Sequence, residues 1–212
     1  MINLDTADRV EGITERIRNK DILFKFYHEF YSKFADCLKY CPSNGLALEI
    51  GSGFGFLKEI IPNVVTSDVI PYKIVDIVMD ASNLPFDDSS LKSVFMLNTL
   101  HHIPDSTSLF NEIERCLKPD GRMLIIDQYN GWFSKIIYRH LHHEPYDPNA
   151  TSWCFQPSGP LSGANGALCW IIFYRDRALF EQLYPTLKII RNEKGHILNF
   201  KYLVSDIINS TL

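Results

Sequence analysis

Leu48-Glu49-Ile50-Gly51-Ser52-Gly53-Phe54-Gly55 is the strongest local signal in the chain. Glycines at 51, 53 and 55 permit a tight turn and let a ligand approach the backbone closely. Further along come Asp68, the pair Asp80-Ala81, Asn98 and the pair His101-His102, each just after an apolar run. An acid placed as Asp68 is can bind a ribose diol with its two oxygens. One placed as Asp80 is can accept from an adenine amino group. Any one of Glu49, Asp68 or Asp80 taken alone could equally be an acid that solvates a loop or caps a helix. Their order at successive strand ends argues for a shared ligand. Two other glycine-loop chemistries fit badly. A nicotinamide-binding G-x-G-x-x-G loop wants glycine at position 56, where Phe56 stands, and a phosphate loop wants Gly-Lys-Ser/Thr, which is missing here.

Short apolar runs alternating with helical patterns must hold these residues. Leu46–Ile50, Val64–Val69, Ile74–Met79, Leu91–Asn98 and Arg122–Asp127 read as strands. Phe54–Ile61, Thr107–Leu117 and a segment near Trp132–Leu141 read as the helices between and after them. Strands alternating with helices predict a parallel sheet covered on both faces, with ligands bound outside the carboxyl ends of the strands. Ahead of the sheet, Ile22, Phe26, Phe30, Phe34 and Cys37 recur at helical spacing, with Tyr27 and Tyr31 beside them. That stripe reads as packing on the sheet, with closure of Tyr27 or Tyr31 over a ligand as the functional alternative. Residues 144–168 break the pattern with four prolines and several Gly, Ser and Asn. They read as a structured insertion over the site. Ala167–Tyr184 then looks helical in two pieces, broken near Arg175-Asp176. Thr186–Arg191 and Ile197–Val204 look like strands joined by a turn at Asn192-Glu193-Lys194-Gly195.

Composition narrows the partners. A chain of 212 residues, 46% hydrophobic and 22% charged, suits one globular domain with a core of normal size. The formal net charge of -4 offers no basic excess, so a nucleic-acid substrate is not favoured. The five cysteines include no C-x-x-C and read as reduced thiols of a cytoplasmic protein. No secretory leader is visible, and no stretch approaches the ~18 apolar residues of a membrane span.

Glu49-x-Gly51-x-Gly53-x-Gly55, Asp68, Asp80-Ala81-x-x-Leu84-Pro85-Phe86 and Leu117-Lys118-Pro119-Asp120-Gly121 together resemble the motifs of class I S-adenosylmethionine-dependent methyltransferases of the type 11 group. The resemblance covers roughly residues 45–128. One departure is the usual Pro-Gly-Gly turn, which here reads Pro119-Asp120-Gly121 and remains compatible with a turn. The resemblance implies a Rossmann-like, doubly wound seven-stranded α/β sheet, mostly parallel with a C-terminal antiparallel hairpin. It implies S-adenosyl-L-methionine as cofactor and S-adenosyl-L-homocysteine as product. The implied cofactor-binding residues are Glu49, Gly51, Ser52, Gly53, Asp68, Val69, Asp80, Ala81, Asn98 and His101, with Glu49 at the methionine ammonium.

The cofactor carries the reactive group, and the protein mainly aligns donor and acceptor. A hydroxyl acceptor would also need a general base. His101 and His102 are candidates, although a similar Leu-His-His occurs in relatives with other acceptors and favours a cofactor-pocket role for His101. A second cluster holds His140, His142, His143, Glu144, Tyr146 and Asp147. The three histidines cannot share one helix face, so no metal is read there, and His143 stands as a candidate acceptor-side catalytic residue. The segment 144–177 is read as the acceptor side, and residues 1–43 as a helical arm of the same single domain. The expected reaction is methyl transfer to a small-molecule or carrier-borne acceptor, at oxygen. The alternatives are N- or C-methylation of a small metabolite and a non-catalytic S-adenosylmethionine-binding protein.

Overall fold

A computed structural model describes residues 7–53, 55–129, 145–156, 159, 163–197 and 200–210. Two helices lead in, α1 (Ala7–Arg18) and α2 (Asp21–Leu38). Then follow β1 (Leu46–Ile50), a single turn α3 (Leu57–Ile60), β2 (Val64–Asp68), β3 (Ile77–Val78), β4 (Leu91–Leu97), α4 (Ser106–Cys116) and β5 (Leu117–Gln128). A short helix at Leu168–Trp170 runs into one π-turn, Ile171–Arg175, and then a helix at Arg177–Leu183. The hairpin of β6 (Leu187–Ile197) and β7 (Phe200–Asn209) closes the chain. The anticipated helix near Trp132–Leu141 lies outside the described residues.

Seven strands form one sheet in the order β3-β2-β1-β4-β5-β7-β6. β1 through β5 pair in parallel, and β7 is antiparallel to both β5 and β6. The central strands are apolar on both faces, as a doubly covered sheet requires. Leu48, Ile50, Val94, Met96, Met123 and Ile125 point to one side, against Leu109, Phe110 and Ile113 of α4 and against Ile172, Phe173 and Phe180. Ala47, Phe95, Leu97, Leu124 and Ile126 point to the other, against Tyr31 and Phe34 of α2 and Leu57 of α3. Each large side chain so buried contributes about 1.5–3 kcal/mol.

Three local expectations are corrected. The helix after β1 spans only Leu57–Ile60, because Gly53 and Gly55 keep the preceding loop at positive φ (36° and 71°). β3 is reduced to two residues because side chains replace its ladder. The Asp76 carboxylate accepts the Thr66 N–H at 2.9 Å, and the Thr66 hydroxyl donates to the Ile74 carbonyl at 3.1 Å. The turn anticipated at residues 192–195 lies inside β6, where Asn192 through Gly195 pair with Ser205 through Tyr202. Asn192 is held there by its side chain. Its amide donates to Phe173 O at 2.8 Å and its carbonyl accepts from Ser205 Oγ at 3.1 Å.

Candidate active site

The strand order reverses between β1 and β4, so the crevice of this sheet opens at the ends of those two strands. Gly51 follows β1 with φ 71°, and a Cβ added there would overlap the Thr99 side chain just past β4. Only a glycine lets the two chain segments meet that closely. At Gly53 the space is open, with the nearest atom, Gly51 O, 3.9 Å from a built Cβ. The loop is stitched to β2. Ser52, almost fully buried, donates its N–H to Ser67 O at 2.9 Å and accepts the Ser67 N–H on Oγ at 3.1 Å. Gly53 N–H donates to Asp68 Oδ2 at 3.1 Å, and Ile70 N–H to Asp68 Oδ1 at 3.0 Å.

Two acids in this crevice are perturbed. Glu49 is 1% exposed, and its Oε2 accepts no hydrogen bond among the described residues. Burial, reinforced by the Asp68 charge and opposed by Ser52, pushes its carboxyl up to about 8. Burial also raises Asp68, against the hydrogen bonds from Ile70, Gly53 and Val69. Val69 itself is exposed beside them. Met79 N–H donates to Asp68 O at 3.0 Å, which brings Asp80 and Ala81 up next to Asp68. Asp80 is exposed, and its Oδ1 accepts from Ser82 N and Ser82 Oγ at 2.8 Å each. Asn98, exposed at the end of β4, adopts φ 51° while its N–H bonds Ile126 O at 2.8 Å. Asn is among the few residue types that tolerate that conformation.

His101 lies in a 3-10 turn, Leu100–His102, and is 1% exposed. Its Nδ1 lies 2.6 Å from Asp127 Oδ1, and the Gln128 amide stands 3.2 Å from its Nε2. Both ring nitrogens of His101 thus face a polar partner, Asp127 at Nδ1 and Gln128 at Nε2. Asp127, fully buried, also accepts the Gln128 N–H at 2.7 Å. The Asp127–Gln128 partnership was missed in the sequence. Its signal there was an acid inside the buried run Leu124-Ile125-Ile126-Asp127.

The insertion seats on this turn. Asn165 N–H donates to His101 O at 2.8 Å, and His102 Nδ1 lies 3.1 Å from Gly163 O. Asn165 also holds Asp147 from both sides, at 3.0 and 3.1 Å. Tyr129, just after β5, meets Tyr174 edge to face at 6.0 Å, and Lys194 Nζ lies 4.8 Å from the Tyr129 ring centre. His143 and its neighbours His140, His142 and Glu144 lie outside the described residues. On the opposite side, Phe56 occupies the position where a nicotinamide loop would carry its third glycine. It is fully buried under Phe24 and Tyr27 of α2, with the Arg18 guanidinium 4.8 Å over its ring.

Comparison with known proteins agrees with this geometry. Residues 48–125 match the model of a methyltransferase domain family. A tRNA U34 carboxymethyltransferase of Nautilia profundicola is 28% identical over 109 residues, 51% of this chain and 34% of that protein. The chain thus spans about a third of that relative's length. Among solved structures, the methyltransferase in complex with the Haloferax volcanii Trm112 methyltransferase activator superimposes with TM-score 0.62 at 15% identity, covering 99% of this chain and 100% of that one. Geranyl diphosphate C-methyltransferase from Streptomyces coelicolor A3(2), solved with S-adenosyl-L-homocysteine, gives TM-score 0.58 at 12% identity over 92% of this chain and 82% of that one. Sheet order and these structural neighbours give the chain the fold of the class I methyltransferases, and the family model matches a methyltransferase domain over residues 48–125.

Proposed function

We propose that this chain binds S-adenosyl-L-methionine at the carboxyl ends of β1, β2 and β4 and transfers its methyl group to a small-molecule or carrier-borne acceptor, at oxygen. The fields this fits are polysaccharide, lipid and secondary metabolism. Glu49 carries the reading. A buried carboxyl whose Oε2 has no partner among the described residues, set behind an open glycine loop, fits a ligand that brings its own cation. The ammonium of the methionine moiety is such a cation. Asp68, anchored by Gly53 and Ile70, stands where a ribose diol would meet it, and Ser52 and Val69 flank the same loop. Asp80 and Ala81 line the base end, and Asn98 and His101 the far wall.

When bound, the cofactor supplies an activated methyl group, and its positive charge vanishes on transfer. The chain's task is alignment and exclusion of water. A hydroxyl acceptor must also lose a proton. The Gln128 amide stands 3.2 Å from His101 Nε2 and Asp127 2.6 Å from Nδ1, so the first role of His101 in this reading is to hold the pocket wall. His143 stays in the proposal as an acceptor-side proton acceptor. The net charge of -4 supports an acceptor other than nucleic acid. Among the described residues no helix is long and apolar enough to cross a membrane.

Calorimetric titration with S-adenosylmethionine and S-adenosylhomocysteine tests the proposal. Micromolar binding of both supports it and opens an acceptor screen beginning with sugars, lipids and small phenols. Folded protein that binds neither would sink it.

A further inference from the structure

Segment 79–90 joins β3 to β4 without regular structure, yet it is held in place by two side chains of α4. Arg115 directs its guanidinium at the segment from below. Nη1 donates to Phe86 O and to Asp88 Oδ1, each at 2.8 Å, and Nη2 donates to Leu84 O at 3.1 Å. Glu112, one helical turn earlier, holds the guanidinium from the side. It accepts from Nε at 3.0 Å and from Nη2 at 2.7 Å. Glu112 Oε2 also accepts the Leu84 N–H at 2.8 Å. Both backbone polar groups of Leu84 and the carbonyl of Phe86 are thereby tied to one ion pair. The next residues extend the seam, with Ser89 N–H donating to Arg115 O at 3.0 Å and the Cys116 thiol 3.6 Å from Phe86 O.

The Arg115 side chain is 33% exposed and that of Glu112 19%, and the two form a bidentate pair that Asp88 extends. A planar fork with several donors fixed on carbonyls also gives position. What it positions is the wall that begins at Asp80 and Ala81. Leu84 is packed in the core beside the partly buried Ala81 and Phe86. The other end of the segment is tied to Asp68 through Met79 N–H. The base-binding stretch is therefore suspended between Asp68 and the Arg115–Glu112 pair.

We propose that Arg115 and Glu112 are positioning residues for nucleobase selectivity. They set where Asp80 through Leu84 stand, and so how well the site distinguishes an adenine amino group from a carbonyl at the same ring position. The inference rests on the cofactor site proposed above.

The test compares S-adenosylhomocysteine with its inosine counterpart, in which a carbonyl replaces the amino group. Both are titrated calorimetrically into wild type, Arg115→Lys and Glu112→Gln. Arg115→Lys keeps the charge and loses the fork, and Glu112→Gln keeps the shape and loses the charge. If one variant fails to fold, the other carries the same readout. Wild type is expected to prefer the adenine ligand by about tenfold, the worth of one hydrogen bond. In the variants that ratio should fall toward one, mainly through loss of adenine affinity. A merely structural role would weaken both ligands equally and leave the ratio intact, and that result overturns the inference. A wild type that binds both alike overturns it as well. A wild type that binds neither overturns the cofactor reading itself, which separates the two failures.

Discussion

Glu49 is the residue at which the site's electrostatics are most exposed to experiment. Its carboxyl, ordinarily at 4.5, is pushed up to about 8, chiefly by burial. The folded chain therefore holds a proton that the unfolded chain has lost between those values. The stability this contributes is complete below the unfolded value and disappears as pH rises through about 8. A bound ammonium would reverse the preference and ionise the acid. Binding of S-adenosylhomocysteine at pH 7 should accordingly release a proton, seen as a binding enthalpy that differs between phosphate and Tris buffers. Identical enthalpies in the two buffers would show that Glu49 does not meet the cation. Glu49→Gln should abolish the buffer dependence and weaken binding by about 1.5–3 kcal/mol, the range for a hydrogen bond to a charged group. Asp68→Ala should cost about 1–3 kcal/mol of binding, since it leaves ribose hydroxyls unpaired. An unchanged dissociation constant would remove Asp68 from the ribose.

At the scale of elements, the loop after β1 separates two demands that the sequence writes with the same letter. Gly51 is required by the fold, because a Cβ there collides with Thr99 and the backbone sits at φ 71°. Gly53 faces open space and has only its φ of 36° to protect. Gly51→Ala should therefore lower stability by about 2–3 kcal/mol, combining a left-handed backbone with overpacking. Gly53→Ala should cost about 1 kcal/mol, the backbone term alone. On the proposed cofactor site, Gly53→Ala should also abolish cofactor binding, since a Cβ there projects into the open space that the ligand would fill. Denaturant melts alongside titrations would read this out, and equal stability loss in the two variants would refute the division. The helical arm belongs to the same argument. Phe56, buried under Phe24, Tyr27 and Arg18, joins α1 and α2 to the end of the glycine loop.

For the whole molecule, ligand binding and folding are linked. A cofactor that binds only the folded chain stabilises it by about 2.7 kcal/mol at a concentration one hundred times its dissociation constant. For a domain of this size that corresponds to a rise in Tm of roughly 5–11 °C. Saturating S-adenosylhomocysteine should give a shift of that order in a thermal melt, and NADH should give none. A shift with NADH alone would argue for the nicotinamide chemistry that Phe56 speaks against.

The sequence by itself determined the class of fold and the order of the cofactor motifs. These are local properties. Glycine's conformational freedom, apolar runs such as Val94-Phe95-Met96-Leu97 and acids at strand ends each declare themselves within a few residues. Tertiary structure decided what depends on partners far apart in the chain. It set His101, a candidate base in the sequence, in a buried pair with Asp127, which stands 26 residues away in the chain. It drew the turn-prone Asn192–Gly195 into β6, where strand pairing and the contacts of the Asn192 amide outweigh local preference. It also set Arg115 and Glu112, which read as ordinary helix-surface charges, beneath the segment from Asp80 to Phe86. No spacing rule links residue 84 to residue 115, and only the packing of α4 beneath the segment brings them together.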